Sequence, residues 1–308
     1  MDMLKKYTEA GGDQKYLSAA AINSYMDCSL RFYFRYIARL PEPDTVTEEI
    51  DSAVFGNLLH TAAHYLYAPF TGKEVTAEVI DGLLEDREGI DNLVKKAFSE
   101  VLKDGGFMGG INLIIAGVLV TYLRQLLKVD RKLVPFRIET LEKKYFGKIT
   151  VAPEGKEITV RTGGFIDRVD RVSGMVRVAD YKTGSDIAEF KTVESLFERG
   201  NPKRPKAVFQ TFLYAWLYLQ PSGTRSPVSP VLYQVRKFFG DESLVISQKP
   251  GRGVANPVRD FNEYKGEFEA GLQSVLSELF DSRIGFSQAE DADICRYCPY
   301  SQLCHRGK

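Results

Sequence analysis

Residues 163–184, Gly-Gly-Phe-Ile-Asp-Arg-Val-Asp-Arg-Val-Ser-Gly-Met-Val-Arg-Val-Ala-Asp-Tyr-Lys-Thr-Gly, hold the side chains of this sequence best suited to chemistry. Ile166, Val169, Val172, Val176 and Val178 are β-branched and interleave with polar residues, and Ser173-Gly174 is a turn signal, so the segment reads as a β-hairpin. Side chains alternate along a strand, which puts Asp180 and Lys182 on one face and turns Tyr181 away. With Asp167 on the partner strand, two carboxylates and an ammonium can converge on one point. Such a set suits a divalent, oxygen-liganded metal, with the lysine orienting a water or offsetting charge on a phosphorane.

The rest of the chain must position that hairpin. Its 308 residues can bury a sizeable core, and 44% hydrophobic with 27% charged residues is ordinary globular composition. The formal net charge is 0, so a polyanion partner would have to meet a local patch rather than a global field. The longest apolar run, Ile111 to Leu123, contains Asn112 and Thr121 and reads as too short to span a bilayer. No secretory signal opens the chain, and a cytoplasmic location with no membrane association is the expectation. There the four cysteines serve a metal or cluster rather than disulfides.

Residues 1–15 read as a leader or a boundary. Ser18 is placed to cap a helix over Ala19 to Ile37, aromatic enough to be core, with Cys28 inside it. An acidic stretch runs on to Asp51, and a helix is expected from Phe55 to Tyr67, with His60 and His64 one turn apart. They share a face and can bind a metal together, but with no third ligand nearby at least one is expected to serve packing or a hydrogen bond. Residues 75–132 show helical periodicity in three pieces, broken at Asp86 to Gly89 and at Gly105-Gly106, the last piece packing on a sheet. Strands follow over Phe136 to Val151 and Glu157 to Arg171, with Glu142 at the mouth of the first and Glu139 close enough to compete with it. Beyond the hairpin, Lys203, Arg204 and Lys206 form a Pro-flanked basic loop that can hold phosphates. In the next helix, Ala207 to Leu219, Gln210 and Tyr214 align an amide and a phenol, able to hydrogen-bond a phosphate or stack a base. A strand over Val231 to Phe238 and a long helix over Arg259 to Phe280 complete the core.

The tail carries Cys295, Cys298 and Cys304 as C-x2-C-x5-C, which points to a bound metal. Zinc would use these three with Cys28 or His305, whereas a [4Fe–4S] cluster would take Cys28 as its fourth thiolate.

On these residues the chain resembles the PD-(D/E)XK nuclease superfamily, in particular its RecB-like branch. Gly164-Phe165-Ile166-Asp167-Arg168-Val169-Asp170 looks like G-x-[IV]-D-R-[IV]-D, and Asp180-Tyr181-Lys182-Thr183-Gly184 matches D-Y-K-T-G; the proline of the superfamily's name is absent before Asp167. Gly56 to His60 matches G-x-x-x-H, and Gln210 to Tyr214 matches Q-x-x-x-Y. The resemblance implies Asp167, Asp180, His60 and the main-chain carbonyl of Tyr181 as ligands of Mg²⁺ or Mn²⁺, with Glu142 assisting and His64 structural. It implies Lys182 as the catalytic lysine. The cysteine spacing is similar to that of AddB-type nuclease domains and CRISPR-associated adaptation nucleases, implying a [4Fe–4S] staple held by Cys28, Cys295, Cys298 and Cys304.

The expected fold is therefore α/β, an α+β mixed sheet of restriction-endonuclease-like type, in a single nuclease domain. Residues 16–70 give N-terminal helices, 75–132 a helical insertion, 136–281 the nuclease core and 290–308 the cysteine tail. The expected activity is a metal-dependent deoxyribonuclease of exonuclease type in DNA repair or recombination. Expected partners are DNA ends or single strands and a helicase subunit, or the rest of a larger helicase–nuclease chain, since no Walker A loop occurs here. The alternatives are a non-catalytic DNA-end-binding module of the same fold and a zinc-stapled structural protein.

Overall fold

A computed structural model describes residues 2–12, 15–42, 51–102, 110–238 and 244–306. The acidic stretch before Asp51 and the break expected at Gly105-Gly106 lie outside them. The main sheet has strand order β1-β2-β3-β4-β6, built from Glu74–Val75 (β1), Phe136–Val151 (β2), Ile158–Val172 (β3), Met175–Lys182 (β4) and Val228–Gln234 (β6). β2, β3 and β4 pair antiparallel, and β6 joins β4 in parallel after a helical crossover. A second small sheet holds Glu189–Phe190 (β5), Ser247–Gln248 (β7) and Asn256–Pro257 (β8).

Among the described residues eight α-helices pack around the main sheet: Ala19–Asp27 (α1), Ser29–Phe32 (α2), Ser52–Tyr67 (α3), Ala77–Glu85 (α4), Arg87–Val101 (α5), Ile111–Arg131 (α6), Lys206–Ser222 (α7) and Lys265–Leu279 (α8). Two apolar cores result. One joins α1, α7 and α8 to Ile166, Val169, Val176 and Val178. The other joins α3 to α6 to Phe136, Ala179, Tyr181 and Tyr233. Tyr181 and Asp180 thus serve opposite sides of β4, as strand alternation requires.

Several local signals act as read. Ser18 caps α1 by accepting from the Ala21 amide, and Asp51 caps α3 through the Ala53 and Val54 amides. The single helix expected over 19–37 is instead broken at Cys28, whose extended backbone (φ −157°, ψ 110°) ends α1 and starts α2. Residues 2–12 are no loose leader, because Leu4 and Tyr7 are buried and Thr8 bridges to Val160.

Helix α6 departs from its expectation as well. Its 21 residues are long and apolar enough, by length and composition, to cross a membrane, where the sequence run read as too short. Its C-terminal half packs on the core through Leu119, Leu123, Leu126 and Leu127, while Ile111, Leu113, Ile114 and Val118 are exposed.

Candidate active site

The sheet brings its charged side chains together where β2 and β3 lose regular pairing. The register shifts between Ile138 and Thr140, and Glu142 takes a left-handed backbone at φ 45°. A non-glycine residue held there stores strain of about 1–3 kcal/mol, which packing around it must sustain. The turn sends the Glu142 carboxylate towards α3, where its Oε1 lies 3.7 Å from His60 Nδ1. Asp167 Oδ2 lies 3.3 Å from the same nitrogen and accepts from the Tyr181 amide at 2.8 Å. On the other side of the ring, His60 Nε2 is 3.0 Å from the Tyr181 carbonyl oxygen. Ligand-type atoms of His60, Glu142 and Asp167 all lie within 4.8 Å of one another. Glu139, the competitor of Glu142, is committed elsewhere, to Arg171 at 2.9 Å and the Tyr218 hydroxyl at 2.9 Å.

Asp180 is buried beside this group rather than within it. Its Oδ2 is 2.7 Å from Lys182 Nζ, and its Oδ1 accepts from Gln210 Nε2 at 3.0 Å. Gln210 also donates to the Tyr214 hydroxyl at 2.9 Å, and its Oε1 accepts from Lys182 Nζ at 3.2 Å. The one-turn spacing on α7 therefore does what it promised geometrically, though towards Asp180 and Lys182. Tyr214 is nearly buried, leaving its ring little freedom to stack on a base. Gly164 is required here: a Cβ on it would meet the Tyr214 ring at 2.8 Å.

Electrostatics show what the cluster lacks. Burial, with the Asp167 carboxylate adding to it against the pull of Lys182, pushes Asp180 up to about 6. Burial alone would lower His60, but Asp167, then Glu142 and Asp180, overrule it and carry the imidazolium up to about 11. Lys182 also resists burial and is raised, chiefly by Asp180. Both Asp180 and His60 hold a proton more tightly than usual, the behaviour of a site short of positive charge. His60, Glu142 and Asp167 fit a divalent cation by donor chemistry and by mutual distance, while the Tyr181 carbonyl faces the other nitrogen of the His60 ring.

The basic loop does not form the phosphate-binding patch that its sequence suggested. Arg204 is only 2% exposed, with Nη2 2.8 Å from Asp27 Oδ1 and Nη1 2.5 Å from Asn23 Oδ1. Lys206 Nζ lies 2.7 Å from the other oxygen of Asp27. A buried carboxylate on α1 claims both cations, and only Lys203 of the three is left on the surface without such a tie.

Far from this site in sequence, Cys28, Cys295, Cys298 and Cys304 line one small cavity with Arg31, Phe34 and Tyr300. All four are free thiols. Burial, with the neighbouring sulfurs adding to it, pushes the Cys298 and Cys304 thiols up. His305 is exposed and does not line the cavity.

A further cluster escaped sequence reasoning. Arg168, fully buried, puts Nη1 2.6 Å from Asp130 Oδ2 and Nε 2.6 Å from Asp170 Oδ2. Tyr233 donates to Asp130 Oδ1 at 2.6 Å, Tyr67 donates to Oδ2, and Arg177 reaches both Asp170 and Tyr233. The alternation of charges in Arg168-Val169-Asp170-Arg171 was the available signal, but Asp130 sits at the end of an apolar helix with nothing to mark it.

A family model described as the PD-(D/E)XK nuclease superfamily matches residues 16–305. No curated protein matches the chain significantly. The match spans nearly the whole sequence and contains the strands and helices that build the site above, so the chain belongs to the PD-(D/E)XK nuclease superfamily, a superfamily of metal-dependent nucleases.

Proposed function

We propose that the protein is a Mg²⁺- or Mn²⁺-dependent deoxyribonuclease of the RecB-like branch, acting from DNA ends in repair or recombination. The observation that carries this reading is three carboxylates, Glu142, Asp167 and Asp180, gathered around one histidine and one lysine. Mutually repelling acids of this kind serve a cation, and a merely structural module has no use for them.

A divalent cation, when bound, supplies the charge that polarises the scissile phosphate and acidifies an attacking water. In this reading His60, Glu142, Asp167, Asp180 and the Tyr181 carbonyl would supply its ligands. Lys182 remains an ammonium, since its affinity for the proton is raised, and acts by charge rather than as a base. Gln210 ties Lys182 to Asp180 and fixes where that charge sits. Tyr214 supports Gln210.

Four thiols on one cavity support the [4Fe–4S] cluster, which joins the break after α1 to the C-terminal tail. A helicase subunit, or helicase segments of a longer chain, is the partner this reading expects in a cytoplasmic setting.

The test is end-labelled DNA incubated with anaerobically purified protein and Mg²⁺ or Mn²⁺, together with iron and sulfide analysis. Wild type should shorten the strand from its ends. Asp180→Ala and Lys182→Ala should each lose at least about a hundredfold in rate. Cleavage by Asp180→Ala as fast as wild type would overturn the site. Stoichiometric zinc without sulfide would replace the cluster with a zinc staple.

A further inference from the structure

From Tyr145 to Val151 the burial of β2 alternates without exception, odd-numbered residues buried and even-numbered ones exposed. The solvated face of such a strand is ordinarily polar. Here it carries two phenylalanines, Phe146 on β2, 50% exposed, and Phe165 on β3, 49% exposed. Lys144 stands directly opposite Phe165, and Phe146 opposite Gly163. The glycine makes room for rings: a Cβ on Gly163 would come 2.9 Å from the Tyr16 ring and 3.0 Å from that of Phe146. Tyr16 meets Phe146 edge-on with centroids 5.4 Å apart. Lys144 Nζ lies 4.6, 5.0 and 5.6 Å from the ring centres of Tyr16, Phe146 and Phe165. The result is three rings around one exposed ammonium.

Away from the candidate active site, the charges that β2 and β3 present on this face have one sign. Going outward from Lys144, the exposed side of the two strands presents Lys148 opposite Arg161. Outward of Lys144 neither strand contributes a carboxylate to that side; Glu142 and Asp167 stand at its inner end, and Glu9 meets the outer cations through its pair with Lys148. The inner end of the face abuts the candidate active site. Phe165 is two residues from Asp167, and Lys144 two residues from Glu142. At about 3.3 Å per residue, Phe165 stands roughly 7 Å along β3 from Asp167.

We propose that the outer face of the β2–β3 hairpin is a track for single-stranded DNA, which stacks unpaired bases on Phe165, Phe146 and Tyr16 and lays phosphates against Lys144 and Lys148. Exposed aromatic rings interleaved with cations, continuous with a phosphodiester-cleaving site, match a single strand in both its chemical parts: flat apolar bases and an anionic backbone. A duplex offers the second part alone. This proposal rests on the nuclease reading for its substrate, and it gives that substrate a place where the basic loop, with Arg204 buried, cannot.

The experiment measures fluorescence anisotropy of the full-length protein with EDTA present, so that no strand is cut. A labelled thymidine 15-mer should bind at least about tenfold more tightly than an abasic 15-mer of equal charge, with no substitution in the protein. Phe146→Ser and Phe165→Ser should each weaken the thymidine strand between about fivefold and a hundredfold, and should leave the abasic strand nearly unaffected. Lys144→Gln should lower the salt slope by about 0.7. Equal affinity for the two strands in wild type, or an unchanged thymidine affinity in the folded double phenylalanine variant, overturns the track. So does sedimentation showing that the double variant loses self-association instead of DNA affinity, which would make the rings an interface between copies. Binding as expected without cleavage in Mg²⁺ or Mn²⁺ leaves the track standing and removes the nuclease reading; cleavage without base-dependent binding does the reverse.

Discussion

Strand β3 sends Asp167 to one charged cluster and its neighbours Arg168 and Asp170 to another, and the two clusters settle their charge in different ways. Beneath α6, two guanidiniums, Arg168 and Arg177, meet two carboxylates, Asp130 and Asp170, so the buried network is balanced from within. At the candidate active site, among the described residues, Glu142 and Asp167 meet His60 and Asp180 meets Lys182, one permanent cation for three carboxylates. The balanced cluster is sealed by Tyr67, Phe136 and Tyr233 stacked around Arg168. The unbalanced one holds extra protons, on His60 and Asp180, which the proposed divalent cation would displace. Charge density alone does not mark a functional site; an uncompensated remainder does.

The sharpest way to break this contrast is to unbalance the sealed network. Asp130→Ala removes an acceptor shared by Arg168, Tyr67 and Tyr233 and leaves two buried guanidiniums, Arg168 and Arg177, to one carboxylate, Asp170. The expected loss is about 3–5 kcal/mol of unfolding free energy, a fall in melting temperature on the order of 10 °C. Denaturant titration reads it directly. A loss below about 1 kcal/mol would mean that water already reaches Arg168, and the contrast with the active site would fail.

These two clusters also show what a sequence discloses. The hairpin and the nearness of Asp180 to Lys182 and of Gln210 to Tyr214 were legible because each depends on spacing along one or two neighbouring elements. Arg204 was misread because its partner, Asp27, lies 177 residues away, and a cation between prolines looks solvated until that carboxylate is known. Asp130 was invisible for a similar reason: it lies 38 residues from Arg168 in sequence, on a helix whose pattern reads only as core. The rings of the β2–β3 face were passed over because a strand pattern says which residues share a side but not whether another element covers it. Nor does any pattern foretell that Glu142 would take a left-handed backbone and so win over Glu139.

A smaller effect separates the clusters by pH. Asp180 sits at about 6 in the folded protein, above its ordinary value of 3.8, so the folded state keeps this proton after the unfolded chain has lost it. Its contribution to stability is complete below about 3.8 and disappears as pH rises through about 6, up to about 3 kcal/mol in all. Carboxylates with lowered values, such as Asp27 beside Lys206 and Arg204, act in the opposite direction, so the useful quantity is wild type minus Asp180→Asn. Without metal that difference should fall between pH 4 and pH 6, and saturating Mg²⁺ should reverse it. A difference that stays flat across this window would place Asp180 in ordinary solvent.

The remaining proton belongs to His60 and tests whether this ring binds the cation. Both of its nitrogens face oxygen acceptors, Nδ1 the carboxylates of Asp167 and Glu142 and Nε2 the Tyr181 carbonyl, which suits an imidazolium donating on both sides. Raised to about 11, the ring keeps its proton at pH 8. A metal ion can use an imidazole nitrogen only after that proton leaves, so binding must release it. Calorimetry at pH 8 in two buffers of different ionisation enthalpy should report about one proton released per Mn²⁺. Apparent affinity should rise about tenfold per pH unit between roughly 7 and 10 through this group alone. His60→Gln, which has no such proton, should release none and bind with little dependence on pH across the same range. If wild type also releases none, His60 keeps its proton beside the bound cation and acts as a hydrogen-bond donor, leaving the carboxylates and the Tyr181 carbonyl as the ligands.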